Sequence, residues 1–192
     1  MKIAVTGHTV GIGKSIADTY RHDGHEIIGF STSTGYNIAT AQDRARIVAE
    51  SVDCDIFFNN AYHDFAQCDL LFELWESWQG QKKKIVNISS SQTMRWLHNF
   101  RDIKYRSAKR ALEDSSEFLW NKSSWPAVVV AAPTMTDTPR TAFRNDANKV
   151  DPDQFARLLK QTLDITEFRV QMLKLAVEPI PGQAGFSPES LN

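Results

Sequence analysis

The chain predicts an α/β protein, a doubly wound parallel sheet flanked by helices on both faces and built as a single domain. Three observations carry this. Short apolar runs alternate with stretches of helical periodicity along most of the 192 residues, the trace that successive βαβ units leave in a sequence. The first apolar run is followed at once by spaced glycines and then a helical pattern, a strand, tight turn and helix in succession. Hydrophobic residues at 42% and a formal net charge of −1 are the composition of one ordinary globular domain.

Taken in order, Ile3 to Val5 is the first strand, and a helix follows from about Ile12 to His22. Glu26 to Phe30 is the second strand and Ala41 to Ser51 the second helix. Asp55 to Phe58 is short, apolar and aromatic, as a strand buried on both faces should be, and a helix near Asp69 to Trp78 comes after it. Ile85 to Ile88 and Ala127 to Ala131 are two further strands, separated by a long helical pattern from Ile103 to Trp120. In that helix Ala108, Ala111, Leu112, Ser115 and Leu119 recur on one face and predict its buried stripe. Asp151-Pro152 reads as an N-cap followed by a proline in the first turn, opening a last helix, and residues 168–173 as a closing strand.

The turn after the first strand is the first chemical feature. Gly7-His8-Thr9-Val10-Gly11-Ile12-Gly13 has the spacing GxxxGxG. Glycines let the backbone turn tightly and approach a ligand closely, and the free N–H groups at the start of the next helix favour an anion. A dinucleotide pyrophosphate is the expected occupant. Gly13-Lys14-Ser15 superficially suggests a nucleoside-triphosphate loop, but the glycine required five residues before Lys14 is missing.

The second feature is Tyr105-Arg106-Ser107-Ala108-Lys109, preceded by Asn87-Ile88-Ser89-Ser90-Ser91. Residues four apart on a helix share a face, so an ammonium at 109 would stand beside a phenol at 105 and favour its ionisation. A hydroxyl at Ser90 would hold a substrate carbonyl oxygen where Tyr105 exchanges a proton with it. The pair taken alone is also what an ordinary solvated helix face looks like, and a serine cluster at a strand end also caps backbone groups. Order and context decide.

TGHTVGIG, then Asn59-Asn60-Ala61, NISS, YRSAK and Pro133-Thr134-Met135-Thr136-Asp137-Thr138-Pro139 together resemble the motifs of the short-chain dehydrogenase/reductase family over about residues 1–139. The resemblance implies a Rossmann-type fold and an NAD(P)-dependent oxidoreductase, transferring hydride between nicotinamide and a carbonyl or alcohol substrate. It implies Ser90, Tyr105 and Lys109 as the catalytic set, with Lys109 also on the nicotinamide ribose. Gly7, His8, Thr9, Gly11, Ile12, Gly13, Asn59, Asn60, Ala61, Pro133, Thr136 and Thr138 would contact the cofactor, as would Asn37 at the position of an Asp-hydrophobic pair beside adenine. Residues 1–180 would be the dinucleotide-binding catalytic domain and 181–192 a tail.

Departures from the family pattern are equally plain. Tyr62 and Thr134 replace glycines, and the interval from Asn60 to Ser90 is short, with no asparagine to hold the family's relay water. Gln67 is the candidate substitute. A non-catalytic NAD(P)-binding regulatory or structural protein is therefore the alternative function. The end of the second strand bears Ser31 and Thr32 where an acid would select NAD, so NADP is favoured over NAD.

Other features exclude more than they assign. Lys82-Lys83-Lys84 is the one basic run and reads as a surface loop, so no nucleic-acid partner is expected. No apolar stretch reaches a membrane span, and a strand beginning at residue 2 points to a cytoplasmic protein without a membrane partner. Cys54 and Cys68 make neither a disulfide framework nor a metal site. His63 and His98 are pocket candidates, as are Trp75, Trp78, Trp96, Phe100 and Phe143. The family resemblance allows a homodimer or homotetramer.

Overall fold

The computed structural model describes residues 1–94, 102–143, 149–167 and 169–174. Six parallel strands form one sheet in the order β2-β1-β3-β4-β5-β6. The strands are β1 (Lys2–Thr6), β2 (Glu26–Phe30), β3 (Ile56–Asn59), β4 (Lys84–Ile88), β5 (Ala127–Ala132) and β6 (Met172–Lys174). Between them lie α1 (Gly11–His22), α2 (Ala41–Glu50), α3 (Ala66–Ser77), α4 (Ile103–Lys122) and α5 (Pro152–Leu163).

The side-chain alternation of each strand explains why helices cover both faces. Ile3, Val5, Ile56, Phe58, Val86, Ile88, Val129 and Ala131 point to one side, where Ile16 and Tyr20 of α1 and Phe155 and Leu159 of α5 pack on them. Ala4, Phe57, Ile85 and Val128 point to the other, against Ile47 of α2, Leu70, Leu74 and Trp78 of α3, and Leu112 and Leu119 of α4. All six residues of β5 are buried, as a strand covered on both faces requires.

The winding direction changes at β1, whose neighbours are β2 and β3. Open parallel sheets bind ligands outside the carboxyl ends of the strands at such a point. One strand lies on the β2 side of β1, whereas the dinucleotide-binding order 3-2-1-4-5-6 has two. The shortfall is thus at the β2 edge, where residues 31–40 turn directly into α2. The interval from Asn60 to Ser90, expected to be trimmed, holds the whole of α3.

Local chemistry sets the element ends. Thr40 accepts from the Asp43 N–H to start α2, Asp102 from the Tyr105 N–H to start α4, and Asp151 from the Asp153 N–H to start α5. The closing strand is only Met172–Lys174; Phe168, Trp96, His98, Phe100 and the 181–192 tail lie outside the described residues. Trp75 and Trp78 are buried in the core between α3 and the sheet. Cys54 and Cys68 are free thiols, and burial pushes both up to about 11. Among the described residues no helix is long and apolar enough to cross a membrane.

Candidate active site

The glycine turn joins β1 to α1 at the switch point. Gly7 has φ +69°, a left-handed value that a side chain would strain. Gly13 serves a different need. A Cβ built there would stand 2.3 Å from the Gly7 carbonyl oxygen and 2.5 Å from Asn60 Nδ2, so the helix can approach the turn only without one. Gly13→Ala should cost about 1–3 kcal/mol, as overpacking against immovable backbone does; urea denaturation checks this, and a variant with unchanged midpoint would contradict the packing.

No side chain caps α1, and its first turn carries no acid, in contrast to the capped α2, α4 and α5. Its first N–H groups are therefore left for an external anion. Lys14 turns along the helix to Asp18 at 2.5 Å and takes no part in the cradle. Thr138, from the loop after β5, closes the other wall: a Cβ on Gly11 would lie 3.2 Å from its Cγ2. Thr9 and Ile12 line the same turn, and the Thr9 hydroxyl receives the Ser33 hydroxyl at 3.5 Å.

Two asparagines divide their work. Asn60 is half-buried and braces the turn, its Nδ2 donating to the Thr6 carbonyl at 2.9 Å while the N–H groups of Asn60 and Ala61 donate to Thr6 Oγ1. Asn59 is 0% exposed and reaches inward, with Nδ2 on the Gln67 carbonyl and on Asn87 Oδ1, both at 2.9 Å. Asn59 thus holds the central sheet from inside.

Other expected cofactor residues divide similarly. The His8 ring lies over Gly29 of β2, so close that a Cβ there would stand 2.3 Å from it; it is directed at the sheet edge and not at the phosphate cradle. Asn37 is exposed, and its Oδ1 accepts from the Ala39 N–H at 3.0 Å in an ordinary turn ahead of α2. Ser31 belongs to a hydroxyl cluster at the end of β2, with its Oγ 2.8 Å from Ser33 Oγ and 3.3 Å from Thr34 Oγ1, and Thr32 opens the 3-10 turn that follows. Pro133 is buried and its carbonyl accepts from Ser91 N–H at 2.8 Å, while Thr136 is buried with its hydroxyl on the Thr134 carbonyl.

The three serines after β4 are distinguished by their partners. Ser89 donates to Glu113 Oε1 at 2.7 Å and is buried. Ser91 is buried at the start of a 3-10 turn. Ser90 remains half-buried, accepts only the Gln92 N–H at 3.3 Å, and interacts with the Tyr105 phenol. Glu113 itself is 3% exposed and also takes the Thr93 hydroxyl at 2.7 Å and the Lys174 ammonium at 2.8 Å. It is the unanticipated brace of the serine loop; an acid four residues after Lys109 on the buried face was its only trace in sequence.

Tyr105 and Lys109 share a face of α4, with the ammonium 5.5 Å from the phenol ring centre. Lys109 is 3% exposed and donates to Gln67 Oε1 at 2.6 Å and to the Ile88 carbonyl at 2.7 Å. Two of its three N–H bonds are thus engaged inside the protein. Burial, with the nearby Arg140 guanidinium second, pushes the amine down to about 7. Gln67 Nε2 donates to the Asn59 carbonyl at 2.7 Å, so the amide ties the lysine to β3.

Burial raises the Tyr105 phenol, opposed by the Ser90 hydroxyl and by Arg140. Arg140 is a cation that works against burial at this phenol. Its guanidinium stands 4.9 Å from the Tyr105 ring centre and 4.7 Å from that of Tyr62. Tyr62, in place of glycine, packs edge-on against Tyr105 at 4.8 Å and lies 5.4 Å from the Lys109 ammonium. Arg140 was missed in sequence because no spacing relates it to residues 62 and 105.

No protein-family model matches the sequence, and no curated protein sequence does. Solved structures do match. An alcohol dehydrogenase from the archaeon Thermococcus sibiricus, complexed with 5-hydroxy-NADP, has 14% identity and a TM-score of 0.74, over 91% of this chain and 95% of that one. The 3-alpha-hydroxysteroid dehydrogenase from Pseudomonas sp. B-0831, complexed with NADH, has 16% identity and a TM-score of 0.74 over the same shares. A short-chain dehydrogenase from Burkholderia cenocepacia J2315, in complex with NADP, has 14% identity and a TM-score of 0.76, over 91% of this chain and 88% of that one. The fold of this chain is therefore the Rossmann-type α/β fold of the short-chain dehydrogenases and reductases.

Proposed function

We propose that the protein is a compact NAD(P)-dependent oxidoreductase that reduces a carbonyl group, with Tyr105 as the proton donor. The observation that carries this reading is the meeting of Ser90, Tyr105 and Lys109 at the carboxyl end of β4, the same end of the sheet at which the glycine turn leads from β1 into an uncapped α1. The residues present fit a dinucleotide: Gly7 and Gly11 take left-handed backbone angles, Gly13 lets α1 close on the turn, and the uncapped α1 N–H groups suit its phosphates. A bound dihydronicotinamide would supply the hydride. Ser90 would steady the substrate oxygen, and the Tyr105 phenol, kept protonated by burial while the Ser90 hydroxyl and Arg140 oppose that rise, would give the proton that this oxygen needs.

The end of β2 presents hydroxyls of Ser31, Ser33 and Thr34 and no carboxylate, which supports NADP over NAD because nothing there repels a 2′-phosphate. A second reading, a cofactor-binding protein without turnover, is favoured by one observation: Tyr62 covers Tyr105 and Lys109 where a glycine would leave open space. A panel of aldehydes and ketones with NADPH and with NADH separates the two. Cofactor consumption that depends on a carbonyl compound is the expected result, and binding of NADPH without consumption across the panel would leave the second reading.

A further inference from the structure

Arg140 lies on the 3-10 turn Pro139–Thr141, whose ends are pinned by reciprocal bonds between Thr138 and Thr141. Its guanidinium is thereby delivered over two phenol rings, at 4.7 Å from Tyr62 and 4.9 Å from Tyr105. A cation–π contact with a ring gives none of the guanidinium's five N–H bonds an acceptor. Among the described residues Arg140 makes no ion pair and no hydrogen bond. The acids nearby are engaged elsewhere: Asp102 accepts the Tyr105 N–H at 2.9 Å, Asp64 pairs with Lys104 at 2.7 Å, and Asp137 pairs with Lys149 at 3.3 Å.

A stacked arginine is often no more than surface packing. Here, however, the rings it covers include the phenol assigned to proton transfer, and the ammonium of Lys109 stands 5.4–5.5 Å from the same two rings. The mouth of the site thus carries the Arg140 guanidinium above a buried amine, and no free carboxylate among the described residues.

The geometry points to Arg140 as the anchor of an anionic substrate: a carbonyl compound with a carboxylate one or two carbons from the C=O, gripped by the guanidinium while its carbonyl oxygen meets Tyr105. Paired N–H bonds at about 2.8 Å are the usual form of such a grip. A cofactor phosphate would offer the same oxyanion chemistry. The substrate is favoured because Thr138 faces the glycine turn at Gly11, while Arg140, two residues on, faces the tyrosines. This inference rests on the reductase reading and narrows its substrate class.

Calorimetric titration of the full chain, with and without NADP, tests it using pyruvate and phenylglyoxylate against their methyl esters, which keep the carbonyl and lose the charge. The acids should bind at least tenfold tighter than the esters, and Arg140→Leu should erase that preference while leaving NADP affinity within threefold. Arg140→Lys, which keeps the charge and loses the fork, should retain part of it and covers the case of a leucine variant that fails to fold. Equal binding of acid and ester, no binding of either acid, or a tenfold loss of NADP affinity in Arg140→Leu would each overturn the assignment. Acid preference without any turnover would instead sink the reductase reading and leave the anion site standing.

Discussion

Tyr105→Phe should lose about a hundredfold to ten-thousandfold in turnover, the span that a positioned proton donor contributes, while NADPH binds as before. The ring stays, so its edge-on packing with Tyr62 and the cation contact with Arg140 are retained. Only the phenol oxygen goes. Because burial raises the Tyr105 phenol above its ordinary range, wild-type reduction should not decline through neutral pH for want of that proton. Stopped-flow reduction of a substrate found in the carbonyl panel, beside fluorescence titration with NADPH, measures both quantities. An undiminished rate in the phenylalanine variant would remove Tyr105 from the chemistry.

Lys109→Met should change how stability responds to pH. The folded amine is held down to about 7 against an ordinary lysine at 10.5. Between those values the unfolded chain binds the extra proton, so the wild type gains stability as pH rises through this window, by at most about 1.4 kcal/mol per pH unit. Below pH 7 both states carry the charge, and the cost of burying it is fully present. The methionine variant lacks this dependence and should show a flatter curve from pH 7 to 9 in urea denaturation. Parallel curves for the two proteins would mean that the buried amine titrates like a free one.

Much of the fold is legible in the chain because parallel strands buried on both faces leave compact apolar runs, and these bracket the strands closely. Ala127–Ala132 is the plainest case, apolar throughout and buried throughout. The glycine turn is legible for a similar reason: Gly13 answers a backbone clash that no other residue relieves. The site is legible only where chemistry is local. Tyr105 and Lys109 lie four apart on one helix, but the amine's hydrogen-bond partners come from residues 67 and 88, and burial with Arg140 lowers its pKa. Through-space contacts between distant loops have no period to betray them. The helix stripe shows the same limit, since the inner face of α4 carries Lys109, Glu113 and Ser116 beside the apolar Ala108, Leu112 and Leu119.

Glu113 has a mechanical corollary. One of its oxygens takes Ser89 and Thr93 beside the β4 end, and the other takes Lys174 in the last described strand. A single carboxylate therefore rivets the outermost strand of the sheet to the loop that presents Ser90. The edge strand and the candidate site share one fastener, so fraying at that edge would be felt at Ser90.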